Sequence, residues 1–190
     1  MGLRITRPVH RRWTAFTRHA AWSALTLLLI VTERPALGQD VTEEALKGAF
    51  LYNFAAFTAW PTEALPPGAP IQACILGAPA VASALARAAE GRLVDGHALV
   101  VTTPSDDTVR GCHLLYVAAR SAKSAAQAVT SVASSPVLTI SDVNEFARSG
   151  GVAQFFVEGG KMRFRVNLAS AKRAKIQLSS RLLSLAELVQ

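Results

Sequence analysis

The 190-residue chain is poor in the groups that carry most enzyme chemistry. It has two cysteines and four histidines, and His10 and His19 fall in the N-terminal segment. The other two, His97 and His113, stand in no C-x-x-C, H-x-x-x-H or H-E-x-x-H spacing. A metal centre is therefore not expected, and both read as structural histidines in or beside strands. There is no G-x-S-x-G elbow, and the acids are scattered, with "SDD" at 105–107 reading as a helix-start cap; hydrolase and transferase chemistry lack a signal. G-x-G-x-x-G and G-K-[ST] are missing too. The only phosphate-cradle candidate is "ILGAPA" (75–80), a strand, a glycine and a helix start that more often make a plain tight turn. No catalytic constellation is signalled by the residues themselves, and no cofactor is expected.

Long hydrophobic runs are also lacking. The longest, Ala20–Val31, has twelve residues, against the roughly 20 needed to cross a bilayer. Arg4, Arg7, Arg11, Arg12 and Arg18 precede or border it, and Ala36-Leu37-Gly38 follows with small residues at cleavage positions. Residues 1–38 thus read as a secretory signal peptide, with an uncleaved N-terminal anchor as the other reading. This segment holds six arginines and one glutamate, so most of the formal +7 belongs to it. The remainder has 14 basic and 12 acidic residues, too even a balance to argue for nucleic acid or a membrane surface. Residues 39–190 suit a single domain with one core.

The rest of the chain alternates apolar runs with helical stretches. "IQACILG", "HALVVTT", "CHLLYVAA" and "PVLTIS" read as buried strands. "APAVASALARAAEG" and "RSAKSAAQAVTSVASS" between them read as helices, and "DVNEFARSG" as a short one. This alternation predicts an α/β fold with a mainly parallel sheet covered on both faces. "GVAQFFV" and "KMRFRV" around "EGG" predict a C-terminal antiparallel hairpin. "NLASAKRAKI" and "SSRLLSLAELV" read as two closing helices. If the first strand lies between the second and third, Cys74 and Cys112 occupy neighbouring strands. In an oxidising compartment they can pair; two buried thiols remain the alternative.

What the sequence has in excess is local. "GAFLYNFAAFTAWP" (48–61) carries Phe50, Tyr52, Phe54, Phe57 and Trp60. A helix is expected from a Thr42 cap to about Trp60, ended by Pro61. At about 100° per residue, Phe50, Phe54 and Phe57 share a stripe that should face the core. Gly48, Tyr52, Ala55, Ala56 and Ala59 form the opposite, small-residue face, expected to be a dimer or partner contact anchored by an exposed Tyr52. In "KMRFRV", Lys161, Arg163 and Arg165 alternate onto one face, with Arg173 soon after. That stripe is a candidate for an acidic partner or a phosphate, or an ordinary solvated strand face.

The order of pieces resembles the YfiR family. The likeness covers about residues 43–189 and rests on "FLYNF…WP", "LTISD…F…GG" and "RFRVNL…A…I…SS.LL.LA". It implies a homodimeric periplasmic regulator with a three-layer, Rossmann-like sheet. Such a protein binds the periplasmic sensor region of an inner-membrane diguanylate cyclase and represses cyclic-di-GMP synthesis. Release comes through an outer-membrane lipoprotein or through redox state. Some members carry a second cysteine pair near the segment equivalent to "SGGVAQFFVEGG"; this chain does not, so only Cys74–Cys112 can serve a redox role. The alternative expectation is a periplasmic binder of small molecules or nucleotides, motivated by Gly77 and the basic stripe.

Overall fold

The computed structural model describes residues 42–104, 109, 111–118, 122–133 and 135–190, together with Gly2; the signal-peptide reading of residues 1–38 lies outside them. Asp40–Gln190 makes one compact unit. Thr42 caps the first helix, accepting a hydrogen bond from the Ala45 amide at 3.2 Å, with Glu43 and Glu44 near the positive helix end. Helix α1 (Glu43–Ala56) stops before the expected Trp60. The Thr58 hydroxyl donates to the Phe54 carbonyl at 2.7 Å, and the chain leaves the helix into a short strand, β1 (Thr58–Ala59).

The elements β2 (Ile71–Leu76), α2 (Pro79–Ala89), β3 (Leu93–Val94), β4 (His97–Thr102), β5 (Leu114–Val117), α3 (Ala122–Ser131) and β6 (Leu138–Ser141) follow. The chain closes with β7 (Ala153–Glu158), β8 (Lys161–Asn167), α4 (Leu168–Arg173), β9 (Gln177–Leu178), α5 (Ser180–Leu183) and β10 (Glu187–Val189). Eight strands form a sheet in the order β10-β8-β7-β6-β5-β2-β4-β3, while β1 pairs with β9. From β7 through β6, β5 and β2 to β4, every pairing is parallel, so the fold is mixed α/β around a mostly parallel sheet. β2 lies between β4 and β5, the arrangement expected of a sheet that winds both ways from its first strand. β7 and β8 pair antiparallel through Gly159 and Gly160, both at positive φ (57° and 72°), as a tight hairpin of matching twist requires.

Strand alternation sends side chains to two clusters. Ile71, Ala73 and Ile75 of β2 join Leu114, Tyr116, Ile140 and Phe155 beneath α1 and α2. Cys74, Leu115 and Val117 join Ala125 and Ala128 of α3. The ring stripe of α1 packs where expected: Phe54 meets Phe155 and Phe164 edge-on at 5.7 and 5.0 Å, and Phe50 meets the same rings at 5.8 and 6.1 Å.

Two local expectations need correction. The segment 142–150 forms turns, not a helix. The Ser141 hydroxyl takes the Val143 amide, and Glu145 adopts a positive φ of 62° that a helix does not accommodate. The last expected helix ends at Leu183, because Glu187–Val189 instead pairs in parallel with Arg165–Asn167 of β8. A further hairpin, β3–β4, turns through Asp95 and Gly96, at φ 49° and 83°, as the two-residue "DG" turn favours.

Two substitutions test this packing. Phe54→Ala removes a buried ring packed edge-on against Phe155 and Phe164 and should cost about 3–5 kcal/mol in chemical denaturation. A Cβ on Gly48 would fall 2.7 Å from the Ala84 backbone carbon and the Leu85 nitrogen. Gly48→Ala must push α1 from α2 and should destabilise by about 1–3 kcal/mol.

Candidate functional site: an aromatic groove and a buried charge cluster

The small-residue face of α1 is internal. Tyr52 is 5% exposed and Ala55 fully buried, and Gly48 lies directly against Ala84 and Leu85 of α2. The Arg92 guanidinium covers the Tyr52 ring at 3.9 Å. The expected docking role of Tyr52 and Ala55 is therefore overturned. The helix has two neighbours, the sheet on its phenylalanine side and α2 on its alanine side. Only Ala56 and Ala59 of that set remain exposed, and Ala59 belongs to β1. The apolar face of α2 (Val81, Ala84, Leu85) needed a partner, and small residues on α1 let it approach closely.

Alternation does place Lys161, Arg163 and Arg165 on one strand face, but the face is largely neutralised. Arg163 Nε lies 3.2 Å from Glu158 Oε2 and Arg165 Nε 3.0 Å from Glu187 Oε2. The Arg165 guanidinium also stacks 3.8 Å above Phe156. Arg173 stands apart, donating to Ser170 Oγ at 2.7 Å beside a cavity of about 110 Å³. The turn at Gly77 leads into a helix whose first residue is Pro79. Proline has no N–H, so one donor of the anion cradle is missing.

A groove not foreseen from sequence lies between α1 and the hairpin, where Met162, Arg163 and Phe164 of β8 contribute to its wall. Phe50, Phe54 and Phe57 of α1 and its exit, with Phe164, line a cavity of about 320 Å³ together with Arg181 and Leu185. The Arg181 guanidinium lies 5.7 Å from the Phe57 ring centroid, and Leu185 is 72% exposed. The β1–β9 pairing, Thr58 with Leu178, carries the C-terminal turns to this place. Sequence reasoning assigned the rings to the core and had no signal that α5 would stop short of covering them.

At the opposite end of α1, Lys47 Nζ lies 2.6 Å from Asp142 Oδ2 and 2.7 Å from Glu43 Oε1. Burial works against the ammonium charge, but the hydrogen bonds to both carboxylates outweigh it and raise the pKa above the ordinary 10.5. Beneath them the Tyr116 ring is fully buried. Its hydroxyl makes no hydrogen bond of standard geometry, while the Asp142 carboxylate still acts on it electrostatically. Burial first, and then that negative charge, hold the phenol far above its usual range.

Cys74 of β2 and Cys112, just before β5, are joined in a disulfide with Cα atoms 5.8 Å apart. The neighbouring parallel strands β2 and β5 bring them together. Both histidines bind backbone. His113 Nδ1 accepts from the Gln72 amide at 3.0 Å and Nε2 donates to the Ala64 carbonyl at 2.9 Å; His97 Nδ1 donates to the Ala69 carbonyl at 2.6 Å. Trp60 Nε1 donates to the His113 carbonyl at 3.1 Å, which pins the chain beyond α1 to the sheet.

A family model described as YfiR/HmsC-like matches residues 44–187. Among solved structures, a conserved domain protein from Vibrio cholerae O1 biovar El Tor strain N16961 is similar at 13% identity, with a TM-score of 0.46. The match covers 68% of this chain and 57% of that one.

Replacing Cys74 or Cys112 by Ser should lower stability by about 3–4 kcal/mol, from the entropy of the opened 38-residue loop; thermal melts with and without reductant check this. The alkaline limb reports the charge cluster. Lys47 and Tyr116 both have raised pKa values in the folded state, so the folded state retains protons that the unfolded chain loses. Stability should hold below about pH 9 and fall above pH 10 as the unfolded tyrosine and lysine deprotonate. Tyr116→Phe should flatten that fall while changing stability little at pH 7.

Proposed function

The chain belongs to the YfiR/HmsC-like family, whose members are periplasmic regulators of diguanylate cyclases rather than enzymes, and we propose that it binds and represses the periplasmic sensor region of an inner-membrane diguanylate cyclase. Family membership over residues 44–187 carries this reading. The reading includes export through residues 1–38, a single Rossmann-like three-layer domain over 39–190, homodimer formation and release by an outer-membrane lipoprotein. Among the described residues no helix is long and apolar enough to cross a membrane, which is in keeping with a regulator that meets the cyclase from outside the bilayer.

The aromatic groove is our candidate for the contact. It joins ring surface, an exposed leucine and two arginines, Arg163 and Arg181, the composition of interface anchors. Deleting the gene should raise cellular cyclic-di-GMP and biofilm, and wild-type protein should restore both. Leu185→Glu, at a 72% exposed position, should fold normally and fail to restore them. Unchanged cyclic-di-GMP on deletion would remove the regulatory reading.

The groove also favours a second reading, a periplasmic small-molecule or nucleotide binder, because its volume of about 320 Å³ lies within the range of ligand sites. Titration calorimetry with nucleotides and amphipathic carboxylates separates the two: saturable heat lost in Arg181→Ala supports a ligand, and no heat leaves protein contact as the groove's use.

A further inference from the structure

A second cleft, of about 500 Å³, lies at the amino ends of the parallel strands β2 and β4. The chain that follows β1 forms one wall and the β3–β4 turn the other. Thr58, Trp60, Leu65, Pro67, Asp95 and His97 are in its lining, and none of them lines the aromatic groove.

Three side chains here have already spent their donors. Trp60 Nε1 donates to the His113 carbonyl at 3.1 Å, so the indole offers the cleft only ring surface. The Thr58 hydroxyl donates to the Phe54 carbonyl. His97 Nδ1 donates to the Ala69 carbonyl at 2.6 Å. That bond fixes the proton of the neutral imidazole on Nδ1 and leaves Nε2 as an acceptor. Asp95 is exposed, and among the described residues its carboxylate has no ion pair and no hydrogen bond. No lysine or arginine lines the cleft. An uncompensated negative charge, a free lone pair and an aromatic ring are complementary to a cation that donates hydrogen bonds. Phosphates and carboxylates meet repulsion in the same place. Among the described residues no three His, Cys, Asp or Glu side chains gather to hold a metal ion, and the walls of Trp60, Leu65 and Pro67 suit an organic body.

We propose that this cleft binds a small organic ammonium ion, an amine carried on a short apolar body. The three N–H donors of the ammonium are shared between the Asp95 carboxylate and His97 Nε2, and the body lies along the Trp60 ring. The concave shape and mixed lining are those of small-ligand sites. The proposal is separate from the cyclase contact and from any use of the aromatic groove.

Titration calorimetry of the full-length protein tests it, with phenethylamine as the probe. At neutral pH phenethylamine should give saturable heat, and phenethyl alcohol, the same body without the charge, should give none. Asp95 sits at φ 49°, in a two-residue turn that favours asparagine equally. Asp95→Asn should therefore keep the melting temperature and weaken phenethylamine by roughly fivefold or more. Trp60 is the one tryptophan beyond residue 38, so bound phenethylamine should change the tryptophan emission and Trp60→Phe should abolish that change. Absence of saturable heat, equal binding of the alcohol, or a Kd indifferent to Asp95→Asn each overturns the proposal. Tighter binding of Nα-acetyl-lysine amide than of phenethylamine assigns the cleft to a lysine of a protein partner and overturns the small-ligand reading. Loss of the cyclase reading alone would leave all these titrations unchanged.

Discussion

Helix α1 is clasped on two sides, and most of the molecule is arranged around that clasp. On one side Phe50 and Phe54 interlock edge-on with Phe155 and Phe164 of the hairpin. On the other, Gly48 allows α2 to approach until no side chain fits between them. Dispersion and apolar burial act across both contacts. Lys47 then ties the N-terminal end of the helix to Asp142 at the end of β6, and Thr58 folds the C-terminal end back into β1. One helix thereby joins the parallel half of the sheet, the hairpin and the C-terminal turns.

The same clasp decides where function can sit. In open parallel sheets, ligands usually lie outside the carboxyl ends of the strands, where the winding reverses. Here that end carries the Lys47–Asp142–Tyr116 cluster beneath α1 and a helix α2 that starts with proline. A groove lined by rings lies instead where α1 leaves the sheet, between Phe57 and Leu185. A surface of rings with two arginines, Arg163 and Arg181, in its lining suits recognition of another molecule.

Much of the architecture was legible because periodicity and burial agree in it. The four apolar runs became β2, β4, β5 and β6, and the order of β4, β2 and β5 followed from the winding rule. The hairpin was legible from "EGG". Misreadings came where tertiary partners outweigh local pattern. "ELV" carries a helical neighbourhood but finds a ladder along β8. Tyr52 has the spacing of an exposed anchor, yet Arg92 and α2 enclose it. The basic stripe reads as free charge until Glu158 and Glu187, the second of them distant in sequence, are seen beside it. The groove was illegible because it is made by an absence of cover, which depends on where α5 ends.

The central claim is a physical contact between this protein and the periplasmic region of a diguanylate cyclase. The most direct measurement is the affinity of the purified, disulfide-intact protein for that isolated region, by interferometry or calorimetry. The account predicts saturable binding at micromolar concentration or tighter, weakened by a charge placed at Leu185. No saturable binding to the region of any cyclase from the same cell would contradict it.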